Sequence, residues 1–199
     1  MTYDLLLALV GFAFVSSITP GPNNLMLMAS GANYGLRRTV PHMLGVAVGH
    51  SFMVVVMGLA LLSIFLRYLM LNLALKIVST AYLLWLAWKI ANAVPPEART
   101  VTGRPFTFWQ AAAFQWVNPK AWFMAITAIS VYAPPGAGAA AGAALVALVF
   151  AMTNLPAITL WAWVGVQLRR WLGTPARLRA FNWTMAALLV LSLVPILRH

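Results

Sequence analysis

Cysteine is absent from the 199-residue chain, acidic residues number only two and histidines three. Without cysteine there is no disulfide framework, no thiol nucleophile and no thiolate metal site, and three scattered histidines leave little for chelation. No metal and no cofactor are therefore expected. The two acids, Asp4 and Glu97, sit near segment ends, which excludes most chemistry that needs paired carboxylates. A membrane-embedded enzyme would lack a nucleophile, base and orienter within reach of one another. What the chain has in excess is apolar surface. Hydrophobic residues make up 63% and charged ones 8%, against about 45–50% and 25% in soluble domains. Such a chain belongs in a lipid bilayer. Its 13 Lys+Arg give a net charge of +11, and almost none of them can pair with an acid, so lipid, solvent or a ligand must answer the field.

Stretches long enough to cross a ~30 Å hydrocarbon core, ~20 residues as helix, place six spans. They run from Tyr3 to Tyr34, Val40 to Leu66, Tyr68 to Ala91, Phe106 to Tyr132, Gly138 to Val166 and Ala176 to Leu197. The expected fold is all-α, a polytopic membrane protein forming a single domain over 1–199. A cleavable signal peptide is not expected, because Asp4 and no Lys or Arg precedes the first apolar run.

The distribution of charge decides between a membrane and nucleic acid as partner. Loops after spans one, three and five collect Arg37, Arg38, Lys89, Arg99, Arg104, Arg169, Arg170, Arg177 and Arg179, whereas the other side has only Arg67, Lys76 and Arg198. By the positive-inside rule the basic side is cytoplasmic and both termini are external. The charge is topological, its partner is anionic lipid, and no nucleic acid is implied. Trp109, Trp171, Trp183, Tyr68 and Tyr132 fall near span ends as interfacial anchors.

The first span is too long for a straight crossing. From Leu5 to Leu36 there are 32 residues without a charge, ~48 Å as continuous helix against a ~30 Å core. In its middle Pro20-Gly21-Pro22, flanked by Ser16, Ser17, Thr19, Asn23 and Asn24, removes two backbone donors, so the helix must break and can restart at Pro22. Non-helical backbone at bilayer depth survives only where protein or a wet cavity satisfies it. The plainer reading is a proline kink capped by serines. Span four carries a counterpart, Gln115-Trp116-Val117-Asn118-Pro119-Lys120. Two halves of three spans, repeat one over 1–94 and repeat two over 105–199, joined through Pro95-Pro96-Glu97-Ala98-Arg99, must have opposite orientations. That is the inverted-repeat plan of many secondary transporters, in which paired broken helices, here one and four, mark the substrate site near the midplane.

Lys120 carries the most weight. An ammonium within a span costs at least ~2.5–3.5 kcal/mol on insertion scales unless it finds water, carbonyls or an anion. No carboxylate lies at comparable depth in the sequence. The half-helices starting at Pro22 and Pro119 direct their positive ends toward the breaks, which favours an anionic ligand. Two helix N-termini and one ammonium make a carboxylate receptor, and Asn23, Asn24, Asn118 and Gln115 add neutral donors and acceptors for an amino group and a small side chain. The competing reading has Lys120 snorkelling to the interface or binding carbonyls freed by Pro119.

Thr19-Pro20-Gly21-Pro22-Asn23-Asn24, Ala29-Ser30-Gly31-Ala32-Asn33-Tyr34-Gly35-Leu36-Arg37-Arg38 and Gln115-Trp116-Val117-Asn118-Pro119-Lys120 resemble the motifs of the LysE/RhtB family of amino-acid exporters. The resemblance covers the whole chain, including Tyr82-Leu83-Leu84-Trp85-Leu86-Ala87-Trp88-Lys89, and is nearest to the branch that exports cysteine and O-acetylserine. It implies secondary-active export of neutral amino acids, of cysteine/O-acetylserine, homoserine or threonine type, from the cytoplasm across a bacterial inner membrane by proton antiport. It places the substrate region at Pro20, Gly21, Pro22, Asn23, Asn24, Asn118, Pro119 and Lys120. The alternative is a channel or facilitator for small zwitterionic metabolites.

Proton-coupled carriers commonly relay through membrane Asp or Glu, which this chain lacks at depth. His50 is the substitute by its ordinary titration range, yet Gly45 and Gly49 precede it in a G-x-x-x-G spacing that equally suits a packed histidine. The substrate, water or Asp4 could carry the proton instead. In span five Asn154 and Pro156 mark a local disruption, Pro156 freeing the carbonyl of Met152 and Asn154 being a second cavity candidate. Ala133-Pro134-Pro135-Gly136-Ala137-Gly138 reads as an external turn, and small-residue faces leave room for a homodimer.

Overall fold

The computed structural model describes residues 2–61, 64, 67–92, 104–133 and 138–191. The Pro95-Pro96-Glu97-Ala98-Arg99 linker, the Pro134-Pro135-Gly136-Ala137 turn and Arg198 lie outside the described residues, as do the side chains of Lys76 and Arg170. All regular structure among the described residues is helical.

The first span is two helices, α1 (Tyr3–Ile18) and α2 (Pro22–Tyr34), bent by 51°. Thr2 caps α1 by accepting from the Leu5 amide at 3.4 Å, and Pro22 occupies the opening of α2. Gly35 ends α2 with φ 79°, a left-handed conformation in which a side chain would be strained. The chain then enters α3 (Leu36–Val56), which relaxes into a π-helical turn over Met57–Leu61. The next helix is α4 (Leu69–Ala91).

A reciprocal capping box between Thr107 and Gln110 starts α5 (Phe108–Phe114). It tightens into a 3₁₀ turn at Gln115–Val117 and restarts at Pro119, after an Asn118 cap, as α6 (Pro119–Tyr132). Both interruptions therefore occur where proline and asparagine chemistry locates them. The last helices are α7 (Ala139–Trp171) and α8 (Pro175–Leu191).

One expectation from the sequence does not hold. Pro156 does not disrupt span five, because α7 runs through it as one helix of 33 residues. A proline removes a single helical bond, and α7 is held along its length by packing against α1, α2 and α3. Its contacts with α2 are backbone to backbone. A Cβ on Gly31 would collide with the Ala162 carbonyl, and one on Gly165 with the Met28 carbonyl. The Gly45/Gly49 face of α3 packs likewise on Phe108 and Ala112 of α5.

Leu36–Ala60 and Ala139–Arg169 are each long and apolar enough to cross a membrane, and the bent α1–α2 pair adds a third candidate. Phe52, Ile77, Phe123 and Met152 are 59%, 61%, 64% and 68% exposed, whereas Asn24, His50, Gln115, Asn118 and Asn154 are buried. Apolar outside and polar inside suits a protein solvated by lipid.

Candidate functional site

Prolines 20 and 22 have no N–H, so the carbonyls that close α1 lose their helical partners. Side chains from elsewhere replace them. Asn24 Nδ2 donates to Ser17 O and Thr19 O, both at 2.8 Å. Trp161 of α7 donates its indole N–H to Ile18 O at 3.0 Å. Lys120 supplies the rest: its Nζ donates to Thr19 O at 2.8 Å, Thr19 Oγ1 at 2.9 Å and Pro20 O at 3.3 Å. The lysine thus binds carbonyls freed at the first break rather than those freed by Pro119.

Gly21 makes room for this reach. It is extended, with φ −177°, which any residue adopts, so its value is spatial. A Cβ there would stand 2.7 Å from Lys120 Cδ and 3.1 Å from Nζ. The lysine stem lies directly across the break.

At the second break Asn118 Oδ1 accepts from the Lys120 amide at 3.2 Å, fixing the entry into α6. Gln115, fully buried, exchanges both amide bonds with Asn23, at 2.9 and 3.2 Å, and also donates to Ala111 O at 2.9 Å. Trp122 Nε1 donates to Trp116 O at 2.9 Å. The two breaks are tied to each other through side chains.

Between them lies a polar chamber lined by Gly21, Asn23, Asn24, Asn118, Lys120, His50 and Asn154, with Ser16, Ser17, Ala121 and Met124. The first turns of α2 and α6 both border it, so their unpaired N–H groups contribute positive potential. Ser17 Oγ and His50 Nε2 are buried on its wall without a hydrogen-bond partner. Such groups favour a polar occupant. The room is about 30 Å³. One water needs ~10–15 Å³ on this measure, so the chamber takes about two waters and is closed to an amino acid as it stands.

Of the residues chosen from sequence, Gly21, Asn23, Asn24, Asn118, Lys120, His50 and Asn154 are brought together here. Gln115 joins through Asn23, and Pro20, Pro22 and Pro119 shape the breaks without lining the space. Asp4 is not brought in: it is exposed in the first turn of α1, away from the break that closes that helix. His50 meets Phe150 edge-on at 5.0 Å and lies beside the close-packed α3–α5 face. Ser17, Met124 and Trp161 were not legible as site residues. Their role comes from helices far apart in sequence, and a tryptophan in an apolar span otherwise signals a lipid anchor. Among the described residues, no group of three or more metal-ligating side chains occurs.

The family model described as LysE type translocator matches residues 14–194. A cysteine/O-acetylserine efflux protein of Klebsiella pneumoniae is 31% identical over 190 residues, covering 96% of this chain and 95% of that protein. Proteins of the same name from Escherichia coli K12 and Shigella sonnei are each 31% identical over 168 residues, covering 83% of this chain and 84% of theirs. No solved structure matches.

Proposed function

The chain belongs to the LysE type translocator family, and from that premise we propose that it is a secondary-active exporter of a small neutral amino acid, of the cysteine/O-acetylserine type, working by proton antiport. It is a bacterial membrane transporter and not an enzyme. The proposal further places it in the inner membrane as six spans in two inverted repeats, 1–94 and 105–199, with both termini external and the Arg37, Lys89 and Arg104 face cytoplasmic. The charge asymmetry supports that orientation.

The observation that carries the reading is the chamber where the opening turns of α2 and α6 meet around Lys120. A zwitterion's carboxylate would take the ammonium from the Thr19 and Pro20 oxygens. One set of charge-assisted hydrogen bonds replaces another, so the exchange costs little, and it releases α1 from α6. Occupancy of the site is thereby coupled to movement of the two breaks. Asn23, Asn24, Asn118 and Gln115 supply neutral contacts suited to a small substrate, and His50 is the chamber residue suited to the proton. Chamber size favours a carrier over a channel, since about two waters do not make a conducting path.

The test is counter-transport in everted membrane vesicles. Labelled O-acetyl-L-serine, L-cysteine, L-homoserine and L-threonine are offered with and without an imposed proton gradient. Gradient-dependent accumulation of at least one supports the reading. Sustained unitary currents far faster than carrier turnover would replace it with a channel.

A further inference from the structure

A second cavity, of about 140 Å³, lies farther along α2. Asn23 faces the chamber, and Met26, Ser30 and Asn33, farther on at helical spacing, line the second cavity. Lys89 at the end of α4 and Arg104 before α5 stand at its exposed rim. At depth sits His42, 2% exposed, its ring 5.3 Å from Phe106. Neither nitrogen of His42 has a hydrogen-bond partner. An imidazole left wholly unsatisfied in a protein interior costs free energy that a polar occupant of the cavity removes. Among the described residues the only acidic side chain is Asp4, in the first turn of α1, beyond the break and away from this cavity.

We propose that this cavity is an intake site for the amino-acid substrate, filled before the chamber, in which Lys89 and Arg104 take the carboxylate at the rim and His42 meets the remaining polar group at the floor. It rests on the export reading for the identity of the ligand. Two cations alone would equally suit a lipid phosphate. The buried histidine favours the amino acid, because only a compact polar ligand reaches from rim to floor. Tyr34, also on the lining, narrows the passage to small substrates.

The full-length protein in phosphatidylcholine nanodiscs tests this with the same four labelled amino acids, by equilibrium dialysis. In a Lys120→Ala background, which disables the chamber, binding of at least one of them persists. Adding Lys89→Gln and Arg104→Gln weakens it at least about tenfold, as does His42→Leu. The two rim residues are exposed, so their removal leaves packing intact. Binding lost with Lys120→Ala alone, or unchanged after the rim substitutions, overturns the site, as does absence of binding by all four. Binding that the rim substitutions abolish but His42→Leu spares, with phosphatidylglycerol competing it away, reassigns the cavity to lipid and overturns the proposal. If everted vesicles show no transport while binding matches the expected pattern, the export reading fails and the site stands.

Discussion

Asn23 and Gln115, 92 positions apart, exchange both side-chain amide hydrogen bonds, at 2.9 and 3.2 Å, and so pin the opening turn of α2 to the 3₁₀ turn of the second break. A buried amide that loses its partner costs about 1–3 kcal/mol, whereas removing both partners costs less than the two losses summed. Asn23→Ala and Gln115→Ala each lower thermal stability of the purified protein, and the double variant falls short of their sum by about 1 kcal/mol. Strictly additive losses would show that the pair is not a unit.

Lys120→Ala abolishes efflux of labelled substrate while the protein still reaches the membrane, because the ammonium that binds Thr19 and Pro20 in this conformation is the one the carboxylate needs. Lys120→Arg fails to restore it. A planar guanidinium does not reproduce the contacts of a compact ammonium that reaches three oxygens. Normal efflux by the alanine variant removes Lys120 from the mechanism.

Two glycine substitutions separate function from folding. In Gly21→Ala the new methyl presses on the Lys120 stem, which is flexible and moves aside, so the protein accumulates normally and efflux falls about tenfold, the cost of roughly one charge-assisted contact. In Gly31→Ala it meets the Ala162 backbone, which cannot yield, so the protein is lost from the membrane fraction. The pair is scored by immunoblot alongside efflux; equal loss of protein in both would deny the distinction.

His50→Leu abolishes the response of efflux to an imposed proton gradient but spares exchange of labelled for unlabelled amino acid, since Lys120 and the asparagines of the chamber remain. Asp4→Asn, altering a side chain in the exposed first turn of α1, leaves both activities unchanged. Gradient-driven efflux that survives loss of His50 and disappears with Asp4 would reverse the assignment.

Trp161→Phe keeps an aromatic ring and deletes the N–H that serves Ile18 O. An unsatisfied carbonyl at the break lowers thermal stability by about 1–3 kcal/mol. An unchanged midpoint would mean that the break finds another donor.

The two breaks were legible in the sequence because their causes are local: prolines without N–H groups, and asparagines able to cap the next helix. The partners of Lys120 were not, since Thr19 and Pro20 lie about a hundred positions away and only the folded chain brings them into reach. Pro156 illustrates the converse. Its chemistry is as disruptive as that of Pro20, yet it has no second proline beside it and three helices support its surroundings, so the same residue type ends one helix and is absorbed by another. The cavity under His42 draws its walls from α2, α3, α4 and the approach to α5, a convergence that no single stretch of sequence announces.

Where Gly31 and Gly165 let α2 and α7 touch through their main chains, the two helices cannot slide past each other without driving a carbonyl into a Cα. They form one rigid post. Whatever swings to admit cargo must be hung elsewhere, and the extended Thr19–Gly21 stretch is where the chain has no helical hydrogen bonds to break: α1 is the door, and Lys120 is its latch.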